Sequence, residues 1–156
     1  MAEAEFMRRA IALSLEMMRS GRGGPFGAVI VKDGRIIAEG FNQVTSLNDP
    51  TAHGEVVAIR AACQALQTFD LTGTEIYSSC EPCPMCLSAI YWARIGKLYF
   101  ANDRVDAAKI GFRDDFLYHE VALPLDQRGI PTLRLLPEEG WLAFEEWLQK
   151  PDKIQY

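Results

Sequence analysis

The sequence lacks any long apolar run. Its longest apolar-leaning stretch, residues 6–18, is interrupted by Arg8, Arg9 and Glu16, and no small-residue cleavage site follows it. A membrane-spanning helix needs about 20 predominantly apolar residues, and a secretory signal needs such a cleavage site. We therefore expect neither a membrane span nor export, and we expect the protein to be cytoplasmic.

Basic residues are also scarce, and they do not cluster. Lysine and arginine number 16 against 21 aspartate and glutamate residues, the formal net charge is −5, and Arg8-Arg9 is the only adjacent basic pair. Proteins that bind nucleic acid normally carry a basic stripe that neutralises phosphates. We therefore expect a small-molecule substrate rather than a nucleic-acid partner.

Linker-like and low-complexity stretches are absent as well. Hydrophobic residues make up 49% of the chain and charged residues 24%, which is the composition of a folded globular protein. A length of 156 residues suits one hydrophobic core and leaves no room for a second. The sequence therefore predicts a single domain over residues 1–156.

Hydrophobic periodicity and turn signals predict the order of secondary structure. Asp33-Gly34 indicates a tight hairpin turn, and a strand, a helix and a strand between residues 75 and 101 indicate a parallel crossover unit. In chain order we expect helices over 3–20, 50–66, 84–94 and 138–150, short helical pieces near Ala107 and Phe116, and strands over 26–31, 36–42, 75–80, 97–101 and 132–136. The predicted fold class is α/β, a three-layer α/β/α arrangement with a mixed five-stranded sheet.

Two short motifs carry the chemistry, His53-Gly54-Glu55 and Pro82-Cys83-Pro84-Met85-Cys86. With Pro84 as the first helical residue, Cys83 takes the cap position and Cys86 the third helical position, so that their side chains are neighbours. The positive end of the helix favours the thiolate, which is the form that binds metal. His53, Cys83 and Cys86 are therefore predicted to bind zinc, with a fourth position left open to water as in catalytic zinc sites.

Glu55 stands beside the predicted histidine ligand and is not needed as a ligand itself. It is free to take a proton from the water and deliver it to a leaving nitrogen. A zinc-stabilised binding module is the non-enzyme alternative, but a structural site has no use for such a carboxylate. The sequence therefore favours a catalytic site.

Cys80 allows two other metal sites, a closed zinc site with Cys80 as the fourth ligand, or an iron–sulfur cluster on Cys80, Cys83 and Cys86. A cluster lacks a fourth cysteine at suitable spacing, because Cys63 lies within a predicted helix. Cys80 itself ends the preceding strand and is more simply a small buried residue. The crowding of cysteines suits metal binding in a reducing cytosol better than disulfides.

The two motifs together form the signature of zinc deaminases that act on nucleobases. The stretches GPFGAVIV (24–31), NDPTAHGE (48–55) and SCEPCPMC (79–86) closely resemble bacterial guanine deaminases of the cytidine-deaminase-like superfamily. The sequence departs from them at Gly54, where alanine is more usual, and we expect this change to be tolerated.

This resemblance implies roles for several further residues. Asn42 would hold the base, Asp114 would recognise it and help to move protons, and Phe26 and Trp92 would wall the pocket. From the residues alone, Asp114 and Asp115 could equally form a solvated turn, and Trp92 could belong to the core.

The resemblance also implies a homodimer. Its subunits would exchange C-terminal segments, about residues 137–156, so that Tyr156 closes the partner's pocket.

Hydrogen-bonding chemistry favours guanine independently. A carboxylate at Asp114 can accept from N1–H and the amino group of guanine, and an amide at Asn42 can donate to O6. Adenine has an acceptor at N1, and the lone pair of that nitrogen would face an ionised Asp114. We therefore expect hydrolysis of guanine to xanthine and ammonia, with one Zn²⁺ per subunit.

Three other substrates stay open at this point. Guanosine and triazine analogues of guanine are chemically close to guanine, and the sequence does not separate them. A tRNA adenosine deaminase is the next alternative, and it would need a basic surface and a flipped nucleotide.

Overall fold

The hairpin forms at Asp33-Gly34, as predicted. The computed structural model describes residues 2–156, and both turn residues adopt positive φ, 49° and 71°, which a type I′ hairpin turn requires. Strands β1 (Gly27–Lys32) and β2 (Arg35–Phe41) pair antiparallel on either side of this turn.

The remaining elements follow the predicted order closely. The helices are α1 (Ala2–Arg19), α2 (Val44–Leu47), α3 (Gly54–Leu66), α4 (Pro84–Trp92), α5 (Arg104–Lys109), α6 (Asp114–Ala122) and α7 (Pro137–Gln149), and the other strands are β3 (Thr74–Cys80) and β4 (Lys97–Asn102). A single 3-10 turn spans Leu125–Gln127. Among residues 2–156, no helix combines the length and apolar character needed to cross a bilayer.

The sheet has the strand order β2-β1-β3-β4. Strand β3 pairs antiparallel with β1 and parallel with β4, which confirms the predicted mixed sheet and its crossover through α4. Ala28 and Ile30 of β1 face α3 and α4, whereas Val29 and Val31 face α1. This alternation is that of a strand buried on both faces, and it confirms the three-layer α/β/α class.

The prediction of five strands is wrong for the described chain, whose sheet has four. Residues 132–136 were expected to form the fifth strand, but they have no strand neighbour, and the side chains of Leu133 and Leu135 are 90% and 83% exposed. A strand exists only where another backbone supplies hydrogen-bond partners. The local apolar pattern is present, but no neighbouring strand is.

Helix α3 begins later than expected. Asp49 does not cap it; its carboxylate instead accepts hydrogen bonds from the backbone N and hydroxyl of Thr51 at 2.8 and 2.7 Å. This local turn satisfies Asp49 without a helix. The cap position of α3 is His53, so the first metal-ligand candidate stands at the tip of the helix.

Gly40 brings α3 into close contact with β2. A Cβ at this position would lie 2.2 Å from the Gly54 carbonyl oxygen and 2.4 Å from the Ala58 nitrogen, both of them backbone atoms of α3. No side chain can fit there without moving the helix that carries His53 and Glu55. The glycine therefore sets the distance between the sheet and the site.

We predict that Gly40→Ala destabilises the protein by about 1–3 kcal/mol, the cost typical of overpacking, and reduces zinc content because α3 is displaced. Gly96→Ala is the matched control, since its Cβ would meet only the Thr74 oxygen at an ordinary 3.5 Å. Denaturant unfolding and zinc analysis of both variants measure the effects, and equal stability of the two would contradict this account.

Candidate active site

The candidate site lies where two helices begin beside the end of β3. His53 caps α3 and Cys83 caps α4, and both have extended backbone conformations with ψ of 154° and 168°. Pro84 is the first residue of α4, as predicted, and Cys86 lies two positions further into the helix. Both helix N-termini therefore point at one place, and their partial positive charges favour anionic groups there.

The three predicted ligands converge on one point. His53 Nδ1 lies 3.6 Å from Cys83 Sγ and 3.5 Å from Cys86 Sγ, and all three ligand atoms lie within 4.8 Å of one another. A tetrahedral ion with bonds of about 2.3 Å to sulfur and about 2.0–2.1 Å to nitrogen separates N and S by about 3.5–3.6 Å. The donor set and its spacing therefore fit zinc.

Cys80 does not belong to this group. Within residues 2–156, the ligand atoms of His53, Cys83 and Cys86 come together without it, and its thiol instead faces the Asp103 carbonyl oxygen at 3.9 Å. The geometry therefore opposes both the closed zinc site and the iron–sulfur cluster. Three protein ligands leave room for a water, the arrangement of a catalytic zinc site.

Glu55 lies in the first turn of α3 and is only 5% exposed. The Ser78 hydroxyl donates a hydrogen bond to Glu55 Oε1 at 2.9 Å. Burial raises the pKa of Glu55, although the bond from Ser78 opposes that rise. A raised pKa makes the carboxylate a stronger proton acceptor, which suits a general acid/base.

These groups open into a cavity of about 250 Å³. His53, Glu55 and Cys83 line it together with two of the predicted substrate-binding residues, Asn42 and Phe26, and with Asp114. Its other lining residues include Gly24, Val44, Thr45, Pro50, Cys80, Glu81 and Phe112. The pocket thus has candidate metal ligands and polar groups in its lining, a combination suited to a small planar ligand.

The family model of the zinc-binding region of cytidine and deoxycytidylate deaminases matches residues 1–102. The chain belongs to this family.

Individual deaminases resemble the chain to different extents. It is 50% identical to the guanine deaminase of Bacillus subtilis over 97% of both chains, and the crystal structure of a guanine deaminase from that organism superposes with a TM-score of 0.95 over 98% of each chain. The resemblance to bacterial guanine deaminases inferred from the sequence is confirmed.

Two further relatives match only in part. A tRNA-specific adenosine deaminase of Agrobacterium fabrum is 51% identical over 49% of this chain and 50% of its own length. A structure in complex with 2,6-diaminopurine is 32% identical, with a TM-score of 0.69 over 73% of this chain and 63% of that one. The similarity to the tRNA deaminase covers only half of the chain.

Charge is concentrated in the deaminase site. A hydrogen bond from the Cys86 thiol lowers the pKa of Cys83 to about 4, and His53 adds to this effect, although burial opposes it. Burial, followed by the charge of Cys83, raises the pKa of Asp114. Of the two cysteine ligands, Cys83 is therefore the one favoured as a thiolate, whereas the hydrogen bond to Cys83 and burial raise the pKa of Cys86. A zinc ion would have to displace the proton of Cys86, because zinc binds the thiolate form.

Asn42 is 8% exposed, and its orientation follows from the backbone around it. Its Oδ1 accepts hydrogen bonds from the backbone nitrogens of Gly24 and Val44 at 3.4 and 3.3 Å. A Cβ on Gly23 would lie 1.6 Å from the Asn42 carbonyl oxygen, so only glycine fits there. Because the oxygen side of the amide is occupied, its NH₂ group is left to donate into the pocket.

Sequence reasoning missed Phe112 and Ser78. The rings of Phe26 and Phe112 meet edge to face with centroids 4.7 Å apart, so the predicted aromatic wall has a second member. The sequence signal for Phe112 was that it is an aromatic residue two positions before Asp114. Ser78 shares the buried strand β3 with Cys80, and nothing in the sequence links it to Glu55.

Trp92 and Tyr156 lie elsewhere in the described chain. Their side chains are 69% and 72% exposed, and their ring centroids lie 6.2 Å apart, with Phe69 adjacent to Tyr156 at 6.5 Å. They line a surface groove, not the cavity above His53. Asp115 pairs with Arg113 at 3.2 Å and is exposed, outside the cavity lining.

We predict that Cys83→Ser lowers the bound zinc-to-protein ratio sharply, because it removes one of three converging ligands. Chelation of the wild-type protein should abolish turnover, and added zinc should restore it. Cys80→Ser is the matched control, another buried cysteine of the same segment, and it should keep its zinc. Elemental analysis measures all three proteins; loss of zinc from Cys80→Ser would reinstate the closed site.

Proposed function

We propose that the protein hydrolyses guanine to xanthine and ammonia, with one zinc ion per subunit. The observation that carries this proposal is one pocket lined by the metal ligands His53 and Cys83, by Glu55, and by Asn42 and Asp114. Similarity to a guanine deaminase along 97% of the chain supports it. The ligand thiols need a reducing compartment, and we place the protein in the cytoplasm.

The reaction replaces the C2–N bond of guanine with a C2–O bond. His53, Cys83 and Cys86 would hold a zinc ion, and that ion would supply a water activated as a nucleophile at neutral pH. Glu55 takes a proton from that water and delivers it to the leaving nitrogen, so ammonia departs as a neutral molecule. The Ser78 hydroxyl donates to one oxygen of Glu55 and so helps to orient the carboxylate.

Two side chains distinguish guanine from other bases in this proposal. Asp114 accepts hydrogen bonds from N1–H and the amino group, and the free NH₂ of Asn42 donates to O6. Phe26 and Phe112 pack against the base. Adenine presents a lone pair at N1, which the half-buried carboxylate of Asp114 disfavours, and this mismatch argues against the adenosine-deaminase alternative.

A panel of guanine, guanosine, a guanine-like triazine, adenine, cytosine and tRNA tests the proposal. We predict ammonia release from guanine with kcat/KM at least about a hundredfold above that for adenine, since an unpaired buried polar group costs discrimination of this size or more. Ammonia measurement and identification of xanthine give the readout, and activity confined to tRNA would refute the proposed substrate.

Glu55→Gln is the control for chemistry in this panel. It keeps the shape of the side chain and the bond from Ser78 but removes the acid/base group. Turnover should be lost while zinc content stays at the wild-type value.

We further propose that two copies exchange their C-terminal segments, which gives a homodimer. Helix α7 packs closely on no other helix or strand within residues 2–156. Its exposed side chains include Trp141 (53%), Leu142 (58%), Phe144 (65%) and Leu148 (63%). Contiguous apolar exposure of this kind marks a protein interface.

The sheet offers a place for such a segment. Strand β4 is an edge strand, and its outer side has no partner within residues 2–156. An exposed strand edge is a common site of association between chains.

The positions of Trp92 and Tyr156 are a further observation in favour of the exchange. They contact each other far from their own cavity, so in one chain neither reaches the pocket that the family resemblance assigns to it. In the exchanged dimer Tyr156 would close the partner's pocket instead. The proposed site is thus completed by a second copy.

Co-expression of two inactive variants tests this arrangement. We predict that Glu55→Gln and Tyr156→Ala chains are each strongly impaired alone but regain about a quarter of wild-type activity when mixed equally, because half of the dimers then carry one intact site. Two affinity tags isolate the mixed dimer, which should then show about half of the wild-type activity because one of its two sites is intact.

Glu55→Gln mixed with Asp114→Asn is the matched control. Both residues line the same chain's pocket, so every site in that mixed dimer is defective and activity should not return. Failure of the first pair to recover activity would place Tyr156 in its own chain's site and contradict the exchange.

A further inference from the structure

Glu81, Arg104 and Tyr118 form a cluster beside the metal-ligand turn, and we call it the Glu81 cluster. The Glu81 carboxylate accepts from Arg104 Nη2 at 2.6 Å, from Nε at 3.1 and 3.2 Å, and from the Arg104 backbone nitrogen at 2.9 Å. Its side chain is only 17% exposed. A part-buried, bidentate pair of this kind is rigid, and it ties the start of α5 to the turn that precedes Cys83.

Tyr118 joins this cluster to α6. The Arg104 guanidinium lies over the Tyr118 ring, 3.8 Å from its centroid, and the Tyr118 hydroxyl donates to the Pro82 carbonyl oxygen at 2.8 Å. Pro82 immediately precedes the ligand Cys83. One side chain of α6 therefore contacts both the cluster and the backbone of the metal-ligand turn.

Tyr118 stands four residues after Asp114 in α6, so the two side chains lie on the same face of the helix. Asp114 is the first residue of α6, and the cap residue Arg113 makes no side-chain capping bond. Within residues 2–156, α6 packs mainly on the short helices α4 and α5. Few contacts therefore determine how α6 is rotated and shifted along its axis. The same contacts determine the position of Asp114.

We propose that Tyr118 is a positioning residue for substrate recognition: its bond to Pro82 holds α6 against the metal-ligand turn and so keeps the Asp114 carboxylate over the pocket. Arg104 and Glu81 hold the tyrosine ring in place. The inference rests on the proposed function, because it assigns Asp114 to the recognition of a guanine-like ring.

Tyr118→Phe is the sharpest variant, because it removes only the hydroxyl and keeps the ring that stacks on Arg104. The loss of one hydrogen bond should loosen α6 without unfolding the protein. Tyr99→Phe is the matched control: it removes a hydroxyl that donates to Glu3 at 3.1 Å, on β4 and away from the pocket lining.

A double-mutant cycle on ligand affinity tests the inference. All proteins carry Glu55→Gln, so that no turnover occurs, and calorimetry measures the Kd of the guanine analogue 8-azaguanine with zinc bound. Tyr118→Phe should weaken binding by about three- to tenfold, the worth of one hydrogen bond. With Asp114→Asn already present, it should weaken binding by no more than about twofold, because the residue it positions is gone.

The outcomes separate this inference from the proposed function. Equal weakening in both backgrounds, or none in either, overturns the positioning role and leaves the proposed function standing. Weakening by Tyr99→Phe to the same degree also overturns it, since the effect would then be general. Failure of the Glu55→Gln parent to bind 8-azaguanine with its zinc in place overturns the proposed function, and this inference with it.

Discussion

The convergence of His53, Cys83 and Cys86 within hydrogen-bonding distances of one another is the constraint on which the rest of the structure depends. Their atoms meet only if α3 and α4 begin at the same point of the sheet. Gly40 allows α3 to approach β2 closely enough, and Pro84 starts α4 immediately after Cys83. The metal-ligand geometry is therefore a property of two helix starts and not of a flexible loop.

This convergence also explains the electrostatics of the pocket. The Cys83 thiolate, Glu55 and Asp114 bring potential negative charge into one partly buried space, and the pKa values of both carboxyl groups are raised, chiefly by burial. A divalent cation at the ligands opposes that accumulation and makes three anionic groups compatible. In the proposed mechanism, metal binding and acid/base function would be coupled, because the cation that activates water would also influence how readily Glu55 exchanges its proton.

The sequence predicted local features well because local features depend on few residues. The hairpin at Asp33-Gly34, the start of α4 at Pro84 and the meeting of Cys83 with Cys86 each follow from a stretch shorter than ten residues. The contact of Ser78 with Glu55 and the Tyr118 bond to Pro82 join residues 23 and 36 positions apart. No periodicity reports such pairs, since they depend on how complete elements pack.

The wrongly predicted fifth strand differs from both the local features and the long-range contacts. Residues 132–136 have the apolar pattern of a strand, and the structure leaves their side chains exposed, so the pattern is sound and the missing part is a neighbouring backbone. Trp92 shows a related mismatch, because the resemblance implies a pocket role for it and it does not line the cavity of its own chain. One cause accounts for both mismatches if a second copy supplies the sheet edge and the pocket together. Sequence patterns record the environment in which a segment functions, and under the proposed exchange that environment would include a second chain.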